Sequence, residues 1–173
     1  HFIAFRRYWE IPAGSADARI GRFVQVPGEA LFERVRGTLG GLPFIAEDLG
    51  IVTPEVTALR DLFGLPGMRV LQFAFGGGEP NDYQPHRYVR NTVVYTGTHD
   101  NDTTVGWHVG LREAERLHAQ SYLGSNDAEF HWTMIRAGLA SVANLAVFPI
   151  QDLLGLGSEA RMIPPGTVEG DWA

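Results

Sequence analysis

Residues 92–102 read TVVYTGTHDND, five residues with strand character that break at a glycine into a string of His, Asp and Asn. The apolar part has no polar alternation, so the strand it predicts, Thr92 to Thr96, needs cover on both faces, as in a sheet of parallel strands. Working outward, the run Met68 to Phe75 and the run Leu145 to Ile150 have the same character, and a shorter one, Pro43 to Ala46, stops at the two carboxylates Glu47 and Asp48. Between these four strand candidates lie helical patterns. Pro27 suits a first helical position, Leu31, Phe32, Val35 and Leu39 share one helical face, and Gly40 and Gly41 end the pattern. Thr53 then reads as an N-cap before Pro54, with Leu59, Leu62 and Phe63 as the buried stripe and Gly64 as the stop. Two further helices are expected at about 110–122 and 126–140.

Strand, loop and helix alternate, which predicts parallel strands joined by crossover helices. Four strands are half of an eight-stranded barrel, and an open doubly wound sheet reads alike. No G-x-G-x-x-G follows a strand, so no dinucleotide site is predicted; Gly76, Gly77 and Gly78 form a loop.

The 173 residues carry 14 basic and 20 acidic side chains, a formal charge of -6, which opposes attraction to nucleic acid or to an anionic membrane. A neutral ligand is the easier fit. There is no Cys, so disulfides and thiolate metal sites are excluded, and the composition suits a reducing, cytoplasmic compartment. No apolar run approaches the roughly 18 residues of a membrane span. The chain opens at His1 directly into the apolar and aromatic segment Phe2, Ile3, Phe5, Tyr8 and Trp9, as a piece cut from a longer domain would. A half barrel standing alone is expected to be inactive and poorly stable, because strand edges and apolar surface stay uncovered.

In a parallel barrel the chemistry sits at the C-terminal strand ends, and this sequence places acids there twice: Glu47 and Asp48 after one strand, His99, Asp100, Asn101 and Asp102 after another. Two carboxyl groups in one cleft are what glycosidic cleavage requires. One donates a proton to the departing oxygen while negative charge stabilises an oxocarbenium-like sugar. Glu47 is the candidate acid, and Asp100 the candidate ionised partner. The competing reading is that such acids are helix caps or loop hydrogen-bond partners. THDND also offers oxygen ligands to a hard cation, without EF-hand spacing. His86, His108, His118 and His131 lack metal-ligand spacing, and Trp9, Tyr83, Trp107 and Trp172 read first as packing residues and second as sugar-stacking surfaces.

Five strings carry a more specific signal: YWEIPAG (Tyr8 to Gly14), PGEALFE (Pro27 to Glu33), IAEDLGIVTPEVTALRDLFGLPGMRVLQFAF (Ile45 to Phe75), VVYTGTHDNDTTVGW (Val93 to Trp107) and GSEARM (Gly157 to Met162). In this order and spacing the chain resembles the amylomaltases, 4-alpha-glucanotransferases of glycoside hydrolase family 77. The resemblance implies the second half of a (β/α)8 TIM barrel of the alpha-amylase clan, residues 1–173 lacking the N-terminal half. It implies a retaining mechanism that moves alpha-1,4-glucan segments between maltodextrins, with no cofactor and no metal. Glu47 matches the family's general acid/base, Asp100 its transition-state-stabilising aspartate, and His99 a sugar contact. The nucleophile is the Asp of a family string R-x-D-H-F whose match begins here at His1 and Phe2, so it is expected immediately upstream. A hydrolytic alpha-amylase relative and a non-catalytic glucan-binding protein remain the alternatives. Departures from the pattern fall at Ile3 and Ala4, where Arg-Gly is usual, at Gly76 and Gly77, where acids are common, at Ile163, and at Asp171 before Trp172.

Overall fold

A computed structural model describes residues 1–77, 80–125, 128–164 and 166. The fold is mixed α/β and divides into two compact units, His1–Met68 and Arg69–Ala173.

The first unit begins with a 3-10 turn, Phe2–Phe5, followed by an antiparallel hairpin of β1 (Arg7–Glu10) and β2 (Arg22–Gln25). Trp9 faces Phe23 across the hairpin with ring centroids 4.9 Å apart, and its Nε1 donates to the Ala18 carbonyl at 2.8 Å. Helix α1 (Gly28–Leu39) starts after Pro27 and stops at Gly40, whose φ of 73° is the left-handed cap that glycine adopts without a Cβ penalty. Helix α2 (Pro54–Leu62) starts after Thr53. Their inner faces meet in a core of Phe2, Phe32, Ala46, Val56, Leu59 and Leu65.

Two expectations are corrected in this unit. Pro43 to Ala46 is irregular chain without a ladder: the Phe44 N–H turns back to the Leu42 carbonyl, the Ala46 N–H donates to the Pro66 carbonyl, the Glu47 carbonyl accepts from Phe2, and the flanking Pro43 and Pro66 have no N–H with which to continue the pairing. On α2, Leu59 is buried and Phe63 packs against the core as expected, but Leu62 is exposed, and Val56 and Arg60 are the further buried positions.

The second unit carries a three-stranded sheet in the order β3 (Gly67–Val70), β4 (Thr92–Tyr95), β5 (Leu145–Val147), with the unit junction inside β3. Strands β4 and β5 pair in parallel, Val93 opposite Leu145, and the chain between them forms α3 (Thr104–Gly110), α4 (Glu113–Leu123) and α5 (Phe130–Ala140), the crossover the alternation predicts. A short α6 (Ile150–Leu153) follows β5. The core is Leu71, Ala74, Phe75, Tyr88, Val94, Ala119, Phe130 and Met134.

Here too the strands are shorter than expected. The run Met68 to Phe75 leaves the sheet after Val70 and coils into a 3-10 turn over Leu71–Ala74, which drives Leu71, Ala74 and Phe75 into the core instead of onto alternating faces. The last strand ends at Val147, because Pro149 cannot donate to a ladder and sets up α6. The expected helix at 126–140 begins at Phe130, with residues 126 and 127 outside the described set, as are Gly78, Asp171 and Trp172.

Candidate active site

The four acids expected at strand ends sort by what their oxygens do. In the first unit Asp48 is turned inward, only 3 % exposed, where Oδ2 lies 2.5 Å from Arg60 Nη1 and Oδ1 accepts the Met68 N–H at 2.6 Å. Arg60 also grips Asp61 Oδ1 through Nε at 2.9 Å and Nη2 at 2.7 Å. Burial works against the guanidinium charge, but the hydrogen bonds to Asp61 and Asp48 and their negative charge outweigh it and raise the Arg60 pKa further above its ordinary value. Gly67 is required beside this pair, since a Cβ there would stand 2.5 Å from Asp48 Oδ2 and 2.8 Å from Arg60 Nη1.

Glu47, one residue earlier, points the other way. Its backbone carbonyl accepts from Phe2 N–H at 2.8 Å, while its side chain remains 44 % exposed with Oε2 3.3 Å from the His1 α-nitrogen. It stands at an apolar cavity of about 520 Å³ lined by Phe2, Phe5, Leu31, Phe32 and Phe44. An acid over such a surface is where a sugar's apolar face and a proton donor can meet.

In the second unit the loop after β4 is fastened by its backbone. Asn101 Oδ1 accepts from both Thr98 N–H and Thr98 Oγ1 at 2.9 Å, Gln72 Nε2 donates to the Asp102 carbonyl at 2.8 Å, and Arg161 Nη2 donates to the Asp100 carbonyl at 2.6 Å. Asp102 is consumed as well: Oδ1 takes the Thr103 N–H at 2.8 Å and Oδ2 the Ser158 hydroxyl at 2.7 Å. Thr103 caps α3, its Oγ1 accepting the Gly106 N–H at 3.1 Å. What the loop leaves out in solvent is Asp100, its side chain 70 % exposed, with His99 beside it at 49 %, Nε2 to Oδ1 3.4 Å.

Sequence reasoning missed the residues that hold this loop from behind. Gln72, Ser158, Arg161 and Asp152 lie 24 or more positions from it; Gln72 falls in the string Ile45 to Phe75 and Ser158 and Arg161 in GSEARM, but nothing in those strings marked them as supports of this loop, and Asp152 lies in none. Asp152, on α6 and 1 % exposed, accepts from Thr104 N–H at 2.7 Å, from Thr104 Oγ1 at 2.9 Å and from the Thr96 hydroxyl.

The other histidines have structural settings. His86 Nδ1 meets the Tyr122 hydroxyl at 2.7 Å, His108 stacks on Phe130 at 4.0 Å between centroids, His118 Nδ1 lies 3.4 Å from the Phe75 carbonyl, and the His131 ring lies against Gly155. Tyr83 and Trp107 pack against the core, whereas Trp9 is partly exposed on the hairpin. Among the departures, Ile3 packs against the first core, and Gly77 has a φ of 91° that disfavours a side chain, while Gly76 has room for one. Among the described residues no three His, Asp or Glu side chains group as metal ligands, and no helix is long and apolar enough to cross a membrane.

The comparisons with known proteins follow these positions. The family model of glycoside hydrolase family 77, 4-alpha-glucanotransferase, matches residues 1–173. A 4-alpha-glucanotransferase of Thermus thermophilus is 51 % identical over 181 residues, covering 100 % of this chain and 36 % of the relative; one of Synechocystis is 50 % identical over 175 residues, covering 99 % and 35 %. The solved amylomaltase of Streptococcus agalactiae, in complex with acarbose, superposes with a TM-score of 0.92 at 35 % identity, over 99 % of this chain and 35 % of that one. The chain thus spans about a third of the length of the relatives it matches, and with its family model matched from end to end it belongs to glycoside hydrolase family 77, the 4-alpha-glucanotransferases.

Proposed function

We propose that this chain is the second half of a (β/α)8 barrel in a 4-alpha-glucanotransferase, which moves alpha-1,4-linked glucan segments between maltodextrins. The observation that carries the reading is the sorting of acids. Asp48, Asp102 and Asp152 are engaged by the fold, while Glu47 and Asp100, the two that match the family's catalytic positions, keep their side chains open to solvent.

In this reading Glu47 protonates the leaving glycosidic oxygen while an Asp joined to His1 attacks the anomeric carbon, so the C–O bond to the leaving glucan breaks as the ester to the enzyme forms. Asp100 remains ionised against the developing positive charge, and His99 contacts the sugar. Glu47 then takes the proton from the 4-hydroxyl of an incoming glucan, whose oxygen displaces the enzyme carboxylate, and the configuration is retained.

The test uses the full-length polypeptide with maltotriose. Glucose together with maltodextrins longer than the substrate is the expected product pattern; glucose and maltose alone mark a hydrolase, and no turnover with retained maltodextrin binding marks a binding protein. Glu47→Gln should lower kcat by about 10²- to 10⁴-fold, the usual contribution of acid–base assistance. A cytoplasmic location belongs to the same proposal, checked by fractionation against a cytosolic marker.

A further inference from the structure

Loop 97–103 presents Asp100, and one buried carboxylate holds both of its ends. Thr96 is the residue before the loop, Thr104 the residue after it, and Asp152 receives the hydroxyls of both together with the Thr104 backbone N–H. Asp152 sits on α6, which follows β5, and β5 pairs with β4, the strand from which the loop departs. The three hydrogen bonds therefore tie the end of one strand, the first turn of α3 and the start of α6 into a single knot beneath the loop.

The chemistry of the knot favours a role in positioning over simple stability. A fully buried carboxylate is costly to keep, and a Thr or Asn in its place would satisfy fewer donors without leaving a charge inside. The Asp152 carboxyl group offers one oxygen to the Thr104 N–H and the other to both hydroxyls, whereas an amide of that size has a single acceptor oxygen. The return for that cost is a loop whose two anchor points have a fixed separation. Between the anchors run seven residues, and hydrogen bonds from Gln72, Ser158 and Arg161 reach Asp102 and the Asp100 carbonyl. The Asp100 side chain is 70 % exposed, with His99 Nε2 3.4 Å from Oδ1, so its direction is set chiefly by the backbone of the loop.

We propose that Asp152 is a positioning residue for Asp100, acting through Thr96 and Thr104, so that its loss is felt in the transition state and not in substrate binding. The inference rests on the reading of Asp100 as the transition-state-stabilising carboxylate.

The experiment measures kcat and KM for maltotriose disproportionation in the full-length protein, with thermal unfolding alongside, for wild type, Asp100→Asn, Asp152→Ala, Asp152→Asn and Thr96→Val. Met134→Ala, on α5 in the core of the same unit, serves as a stability control. Asp152→Ala should lower kcat on the order of 10- to 100-fold, the effect of a misplacement near 1 Å, with KM within about twofold. Asp152→Asn, which keeps an acceptor for Thr104 N–H, should recover part of that loss, and Thr96→Val should reproduce a fraction of it. Met134→Ala should lower the unfolding temperature without changing kcat. The proposal is overturned if folded Asp152→Ala keeps kcat within about twofold, or if its loss is matched by Met134→Ala at equal loss of stability; should Asp152→Ala not fold, Asp152→Asn and Thr96→Val decide by the same criteria. A wild type that does not disproportionate, or an Asp100→Asn variant with wild-type kcat, overturns the underlying reading and this inference with it, and is recognised without reference to the Asp152 variants.

Discussion

Arg60 Nη1 lies 2.5 Å from Asp48 Oδ2, and both side chains are buried, although Asp48 is next in the chain to Glu47, whose own side chain is 44 % exposed. The Asp48 N–H donates to the Ala46 carbonyl at 2.9 Å, a tight turn centred on Glu47, and the two acids meet different surroundings, one buried and one open. The ion pair therefore decides which of the two is left for chemistry.

From that pair follows an asymmetry in stability. Arg60→Leu removes the guanidinium from a buried carboxylate and should cost about 3 to 5 kcal/mol, the usual penalty for breaking a buried pair. Asp48→Ala should cost less, because Arg60 keeps both of its hydrogen bonds to Asp61. Urea unfolding of the two variants checks this, and equal losses would contradict it.

The cap of α3 offers a smaller effect at a defined place. Thr103 Oγ1 accepts the Gly106 N–H, so Thr103→Ala should cost about 1 kcal/mol while Thr103→Ser, which keeps the oxygen, should cost little. Hydrogen exchange at Gly106 reports the loss directly. Unchanged protection of that amide in Thr103→Ala would show that the cap contributes nothing.

Alkaline pH should expose Tyr88. Burial pushes its phenol well above the ordinary tyrosine value, against a small opposing pull from Arg69, with Tyr122 adding to the rise. Below pH about 10 both folded and unfolded chains hold the proton, and the contribution of Tyr88 is fully present. Above it the unfolded chain loses the proton first, so stability falls by about 1.4 kcal/mol per pH unit from this group until the raised folded value is passed. Tyr88→Phe should lose about 1 kcal/mol at pH 8, from the hydrogen bond its hydroxyl donates to the Tyr83 carbonyl at 2.7 Å, and should show a shallower decline above pH 10. Parallel declines in the two proteins would refute the assignment.

Much of the fold is readable where Pro and Gly punctuate it. Helices α1 and α2 begin and end within a residue or two of the expected places because Pro27, Gly40, Thr53, Pro54 and Gly64 act locally, and Thr92–Tyr95 is a strand because nothing interrupts its apolar run. Extended runs fare worse, since a ladder needs partners that a local pattern cannot supply: Pro43 to Ala46 finds proline on its partner segment, and the run from Met68 coils after Val70. The antiparallel hairpin of β1 and β2 went unread for the same reason. Helix α3 is hidden by its polar approach, THDND, which runs directly into the Thr103 cap. At the site, the match to a family string separates Glu47 from Asp48 in the sequence, whereas the physical cause of the separation, Arg60, lies 12 residues from Asp48. The supports of the Asp100 loop are more distant still and left no periodic trace.

Because the THDND segment is secured through carbonyls, amide N–H groups and the side chains of Thr98, Asn101 and Asp102, the identity at 100, whose side chain is 70 % exposed, has little part in how the segment folds. Such an arrangement is evolvable: a library randomised at that one site should yield well-folded proteins whose members differ in chemistry, with selection free to search function without first having to rescue architecture.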